Sequence, residues 1–350
     1  MNLQEVYKNA RERMKSYCRV CPVCDGRACS GEVPGMGGLG SGESFRTNVQ
    51  DLASIKLNMR LVHGVKKPNT ETTFFGFNIS FPVMASPIGG SEYNMGGYLT
   101  EQAYGKAVAS GCCKAGTIAC SGDGAPNMIF EYGLEGIQNE KSRGIPFIKP
   151  WDGDELDRKM KLAADAGCKA IGMDIDAAGL ITLSLMGRPV SPKTTDELAK
   201  IVDKAHKLGL RFIIKGLMNY EDSKSAVDAG CDAILISNHG GRVLDHTIGT
   251  ARVLAQYGDK LRTLNVPILV DGGVRSGTDV LKMLALGADI VLLGRPITIA
   301  AVGGEEEGVS LILNKIHNEL IQTMLLTGCQ DLESIKTQKN DVIIMPNSFS

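Results

Sequence analysis

Residues 267–296 read PILVDGGVRSGTDVLKMLALGADIVLLGRP. A short apolar run, PILVD (267–271), breaks into glycines. GTDVLKMLALG then carries apolar residues at helical spacing and stops at a glycine. DIVLL (289–293) is apolar again and ends in GRP. This is one strand–helix–strand unit. Both runs are continuously apolar rather than alternating, which fits parallel strands covered on both faces. Glycine is a usual helix stop because, without a Cβ, it lets the chain turn left-handed.

The same unit recurs upstream. Strand-length runs occur at PVMAS (82–86), CCKAGTI (112–118), PFIK (146–149), AIGMDI (170–175), RFIIK (211–215) and AILIS (233–237). Amphipathic segments lie between most of them, among them DELDRKMKLAADAG, TDELAKIVDKAHKLG and NYEDSKSAVDAG. Eight such strands predict a (β/α)₈ TIM barrel of the α/β class. A doubly wound open sheet is the rival, disfavoured by the count of eight and by the absence of a sheet-reversing break. The pattern divides the chain into a helical, Cys-rich and Gly-rich N-terminal segment (1–74), the barrel (75–330) and a C-terminal tail (331–350). GMGGLG in the first segment formally matches a dinucleotide fingerprint. No strand precedes it and no βαβ unit surrounds it, so it reads as a tightly turning connector.

The bulk numbers narrow the function classes. At 350 residues, 43% hydrophobic and 22% charged, the chain has the composition of a soluble globular protein. A formal net charge of −1 gives no argument for nucleic acid or an anionic membrane as partner. No apolar run is long enough to span a bilayer. The start, MNLQEVYKNARERMKSYC, lacks the apolar stretch of a signal peptide, so a cytoplasmic location is expected. In that reducing compartment the ten cysteines are not expected to form disulfides.

In a barrel, chemistry gathers at the C-terminal strand ends. The first end offers Ala85, Ser86 and Pro87, the third Lys149, the fourth Asp174 and Asp176, and the fifth Lys215. The sixth ends in ISNHGGRVLDH (236–246), with His239 and Arg242 on a glycine hinge. The seventh gives Asp271, Gly272, Gly273 and Arg275, and the eighth Gly294 and Arg295. Glycines that admit backbone N–H groups, with two arginines on the last two loops, suit a phosphate-bearing cofactor. His239 titrates near neutrality and can act as a base. Arg242 can clamp a carboxylate with two parallel hydrogen bonds. Asp176 is placed to orient the imidazole. His63, His206, His246 and His317 lack this setting and read as structural.

SNHGGRVLD, with IIKG before it and DGGVRSGTDVLKMLALGAD and LLGRP after it, resembles the FMN-dependent 2-hydroxy acid oxidases and dehydrogenases, the lactate and glycolate oxidase group. SGESFRTNVQDLASIKLNMRLV is similar to that family's N-terminal segment. The resemblance implies an FMN enzyme acting on a CH–OH donor, oxidising a small L-2-hydroxy acid such as lactate, with oxygen or an electron carrier as acceptor. It implies His239 as base, Asp176 as its support, Arg242 as the carboxylate clamp and Lys215 beside flavin N1. Ala85, Ser86, Pro87, Thr117, Lys149, Asp174, Ser237, Asp271, Gly272, Gly273, Arg275, Gly294 and Arg295 would surround the cofactor. Relatives of this kind imply a homo-oligomer, a tetramer or larger. The chain also departs from the family. PFIKPWDGD replaces a glutamine and a tyrosine after the third strand, and GLGSG lacks a tyrosine. Asp174 stands where a hydroxyl residue is common, and Arg188 is the candidate for a second substrate arginine. An FMN-barrel isomerase, similar to type 2 isopentenyl diphosphate isomerase, and a non-catalytic flavin-binding protein are the alternatives.

Cys18, Cys21, Cys24 and Cys29 fall in CRVCPVCDGRAC, a C-x₂-C-x₂-C-x₄-C spacing. Four close thiolates suit a tetrahedral zinc or an iron–sulfur cluster. A set of reduced thiols is the plain alternative.

Overall fold

Alternation along each strand decides the architecture. In this computed structural model, which describes residues 1–188 and 190–349, eight strands carry it. They are β1 (Val83–Ile88), β2 (Ala119–Ser121), β3 (Gly144–Ile148), β4 (Ala170–Asp174), β5 (Arg211–Leu217), β6 (Ala233–Ile236), β7 (Ile268–Val270) and β8 (Ile290–Leu293). Successive residues of a strand face opposite sides. Met84, Cys120, Phe147, Ile213, Leu235, Leu269 and Leu292 therefore pack together inside. Their neighbours Ile148, Ile214, Ile234, Val270 and Val291 join a second, outer core. All neighbouring strands pair in parallel, and β8 pairs with β1 to close the barrel. An antiparallel hairpin, Thr72–Phe74 with Phe77–Ile79, contributes Phe74, Phe77 and Ile79 to the inner core before β1 begins. Gly172 in β4 is a fit to this filling, since a Cβ there would stand 2.2 Å from the Phe147 ring.

Two helices precede the barrel, α1 (Leu3–Met14) and α2 (Glu43–Ser54). The outer layer is α3 (Glu101–Lys114), α4 (Asn127–Asn139), α5 (Asp154–Asp165), α6 (Thr195–Lys207), α7 (Tyr220–Asp228), α8 (Thr250–Arg262), α9 (Gly277–Ala285) and α10 (Arg295–Thr327). The four amphipathic segments of the sequence are α5, α6, α7 and α9. A glycine at positive φ follows each of them: Gly167, Gly209, Gly230 and Gly287.

The second strand differs from the sequence expectation. CCKAGTI is not a strand: Cys112 and Cys113 close α3, the chain turns at Gly116 (φ 77), and β2 starts only at Ala119. A buried helix end and a buried strand are both continuously apolar, so periodicity does not separate them. Thr117 consequently lies before the strand, and its hydroxyl donates to the Val83 carbonyl at the start of β1.

The N-terminal segment and the tail both pack on the barrel's flank. α1 lies along α10, and α2 lies against α8. Lys56–Leu57 pairs antiparallel with Ile343–Ile344, tying the first segment to the tail. Among the described residues no helix is long and apolar enough to cross a membrane.

Candidate active site

The loops that follow the strands surround one cavity of about 1170 Å³, solvent at the mouth included. Ser86 and Pro87, Lys149 and Lys215, and His239 with Arg242 line it. So do Asp271, Gly272, Gly273 and Arg275 after β7 and Gly294 and Arg295 after β8. Most residues singled out in the sequence are thus brought to one mouth.

The charged centre lies on β4, β5 and β6. Asp174, fully buried, accepts from Lys149 Nζ at 2.6 Å and pairs with Lys215 Nζ at 3.0 Å. Burial raises the Asp174 carboxyl, but the two ammonium groups outweigh it and hold it well below the usual carboxylate range. Burial opposes the Lys215 charge in turn, and Asp174, Asp176 and Asp271 together reverse this and push its pKa up. Asp176 sits in the turn Ile175–Gly179, where a Cβ on Gly216 would come within 2.5 Å of its Cγ. Burial raises Asp176 too, yet His239 and Lys215 leave it net lowered. Asp174, Asp176 and His239 lie close enough to suit a metal, but the Lys215 ammonium, 3.3 Å from His239 Nδ1, already supplies the cation.

His239 Nδ1 is 3.1 Å and 3.2 Å from the two Asp176 oxygens. An ionised carboxylate only accepts, so Nδ1 carries the proton and Nε2 keeps its lone pair. Burial, then the Lys215 charge, lower the His239 pKa, with Asp176 opposing. The ring is neutral at pH 7. Its backbone stands at φ 56, followed by Gly240 (φ 65) and Gly241 (φ 79). This left-handed run is why glycines follow His239. It turns the chain sharply enough to bring His239 and Arg242 to the same cavity. Ser237 Oγ accepts from the His239 amide at 3.1 Å and lies beneath the mouth, outside its lining.

Arg242 is half-buried and has no counter-ion among the described residues. Its guanidinium donates to the Gly35 carbonyl and, at 3.0 Å, to Asn94 Oδ1. Burial alone brings its pKa down to about 10, still charged at neutrality. Arg295 donates to three carbonyls, Met36 (2.7 Å), Gly37 (2.9 Å) and Gly240 (3.0 Å), and lies 3.6 Å from the centroid of the Phe45 ring. The glycine-rich run is therefore more than a connector. It straps the mouth, and its carbonyls rather than its N–H groups meet the arginines. Asp245, the last acid of the SNHGGRVLD stretch, accepts from the amides of Ser41 (2.6 Å), Glu43 (3.0 Å) and Ser44 (3.4 Å). It so caps α2, whose own N-cap is a glycine.

Three of the expected contact residues lie away from the cavity lining. Thr117 lies before β2, at the strand start, and does not line the cavity. Arg188 is turned to Glu155, to the Ala125 carbonyl (3.2 Å) and to the Trp151 ring (4.7 Å), not into the cavity. Ala85 is buried in the outer core and does not line the cavity. His63, His206, His246 and His317 lie outside it as well.

The structure adds residues that the sequence reading passed over. Asp123 accepts from Lys149 N (3.0 Å), Trp151 Nε1 (2.6 Å) and the fully buried Lys159 (2.7 Å), locking the loops after β2 and β3 together. Trp151, in the stretch lacking the family's tyrosine, thus spends its N–H on the protein. Tyr93 and Asn94, in GGSEYNM after β1, line the mouth, as do Met36, Leu180, Leu183 and Met186. Their nearness to a strand end was the available signal.

Four buried polar atoms at or beside the cavity have no protein partner among the described residues: Ser86 Oγ, Ser121 Oγ, Asp271 Oδ1 and Arg275 Nε. Such groups are rare in finished interiors. Hydroxyls and a carboxylate toward β1, β2 and β7, with cations at the β7 and β8 loops, fit the polar tail and phosphate of FMN.

Comparison with known proteins agrees with this geometry. A family model described as FMN-dependent dehydrogenase matches residues 35–184 and 182–341. The chain is 30% identical over 321 residues to an L-lactate oxidase of Lactobacillus jensenii, covering 84% of this chain and 76% of that one. It is 31% identical to an L-lactate dehydrogenase of Caulobacter sp. (strain K31), covering 85% and 90%. The fold matches a lactate oxidase structure of Pediococcus acidilactici with a TM-score of 0.78 at 23% identity, over 99% of this chain and 95% of that one.

Proposed function

Because the chain belongs to the FMN-dependent dehydrogenase family, we propose that it oxidises a small, lactate-like L-2-hydroxy acid to the 2-oxo acid. Bound FMN would supply the two-electron acceptor of a CH–OH oxidation. The observation that carries the reading is the pairing of a neutral, carboxylate-held imidazole with a half-buried guanidinium that has no counter-ion among the described residues, in one cavity. The guanidinium of Arg242 would take the substrate carboxylate. His239 Nε2 would take the proton released as the C–OH centre is oxidised, and Asp176 would stabilise the imidazolium so formed. Lys215, held charged by Asp174, would offset negative charge gained on the pyrimidine side of the flavin. Arg275, the glycines after β7 and β8 and the N-terminus of α10 would hold the phosphate. Met36, Leu180, Leu183 and Met186 leave an apolar margin that suits a short aliphatic side chain. The two lactate-active relatives support that size. Electrons would leave to oxygen or to a carrier.

The test is anaerobic. Yellow protein is mixed with a panel of 2-hydroxy acids, and loss of the oxidised flavin absorbance is followed in time. Bleaching by short L-acids is expected. His239→Ala should stay yellow and bleach about 10²- to 10⁴-fold more slowly. Bleaching of that variant at the wild-type rate would remove His239 as the base.

A further inference from the structure

Residues 1–34 lie outside the family match, and the function above makes no use of their four cysteines. Those cysteines are not scattered in space. Cys18, Cys21, Cys24 and Cys29 fall within one twelve-residue stretch, whose backbone turns left-handed at Val20 (φ 48) and Gly26 (φ 85). They lie at the phosphate end of the cavity. Cys24 Sγ accepts from Arg275 Nη2 at 3.5 Å. The loop between them turns at Gly26 (φ 85), where a Cβ would meet the Phe45 ring at 2.7 Å. Phe45 in turn lies under Arg295.

The backbone of this loop is organised around sulfur. Val20 is β-branched and buried, yet it stands at φ 48, a region such residues rarely enter. In that conformation its N–H points back to Cys18 Sγ at 3.4 Å. A strained residue persists where its surroundings demand it. An N–H aimed at a cysteine sulfur is one of the contacts that tune thiolate-bound clusters.

The sulfurs are not gathered at the spacing of a mononuclear zinc site. Zinc on four cysteines, with bonds of about 2.3 Å, would bring the sulfurs about 3.8 Å apart. Among the described residues no three of these thiols come within 4.8 Å of one another. A polynuclear cluster holds its thiolates farther apart, around the cluster body. Arg275, whose Nη2 lies 3.5 Å from Cys24 Sγ, would offset part of its negative charge.

We propose that Cys18, Cys21, Cys24 and Cys29 hold an iron–sulfur cluster beside the phosphate end of the FMN cavity. This assignment rests on the FMN reading only for its neighbour, not for the cluster itself. The test uses the full chain, purified without oxygen and reconstituted with ferrous iron, sulfide and dithiothreitol, then desalted. Iron and acid-labile sulfide are expected in equal amounts, several atoms of each per chain. A broad absorbance near 400 nm should bleach with dithionite, and a paramagnetic signal should appear in the frozen reduced sample. Flavin released by heat and measured by fluorescence reports the FMN site separately. Cys21→Ser and Cys24→Ser are expected to lose iron and sulfide while keeping flavin. If either variant fails to fold, the wild-type metal and sulfide analysis still decides. Zinc in place of iron, iron without sulfide, or four titratable thiols with neither metal would overturn the assignment.

Discussion

At the residue scale the site depends on where protons rest. His239 is kept neutral by burial and by Lys215, while Asp176 pulls the other way. Protonation would therefore switch the proposed base off only at pH values below about 6.5, the ordinary histidine value. Asp176→Asn removes the group that favours the charged ring. The acid limb of the kcat/KM profile should shift to lower pH. The plateau should fall by about 10²-fold or more, because the tautomer and orientation are no longer held. A limb moving to higher pH would contradict the assigned role. His239 and Arg242 were legible in the sequence because glycines at a strand end rarely accompany two such side chains without reason. Asp123 was not, because its partner Lys159 is on another element, and sequence gives no sign that the two charges are buried together. Arg188 failed for the same cause. A guanidinium's nearest carboxylate, here Glu155, is a fact of packing.

At the element scale, continuous apolar runs revealed seven of the barrel strands to within a few residues. The missed one shows the limit of that signal. Cys112 and Ile118 are both fully buried, one on a helix and one beside a strand, and burial alone does not carry a period. The inner core is where β4 is most exposed to substitution. Gly172→Ala would drive a methyl into the Phe147 ring, and overpacking of this sort costs about 1–3 kcal/mol. The expected readout is a lower urea midpoint with an unchanged m-value. An unchanged midpoint would mean that Phe147 yields without cost.

At the scale of the whole molecule, the buried charges link stability to pH. The folded His239 pKa is depressed, so the folded protein holds that proton less tightly than the unfolded chain. Its contribution is complete above about pH 6.5 and is lost as pH falls through the folded value. Asp174 and Asp176 are also depressed, and their contributions fade below about pH 4. The melting temperature should be level from about pH 7 to 9 and decline in two stages on acidification. Each coupled proton would cost up to about 1.4 kcal/mol per pH unit. A melting temperature that rises between pH 6.5 and 5 would contradict the His239 assignment. Finally, α1 rests on α10, and the strand at Lys56–Leu57 pairs with Ile343–Ile344. α1 thus has no surface to settle on until α10, far along the chain, has formed. The cysteine loop likewise meets Arg275 only once the chain has been built through β7.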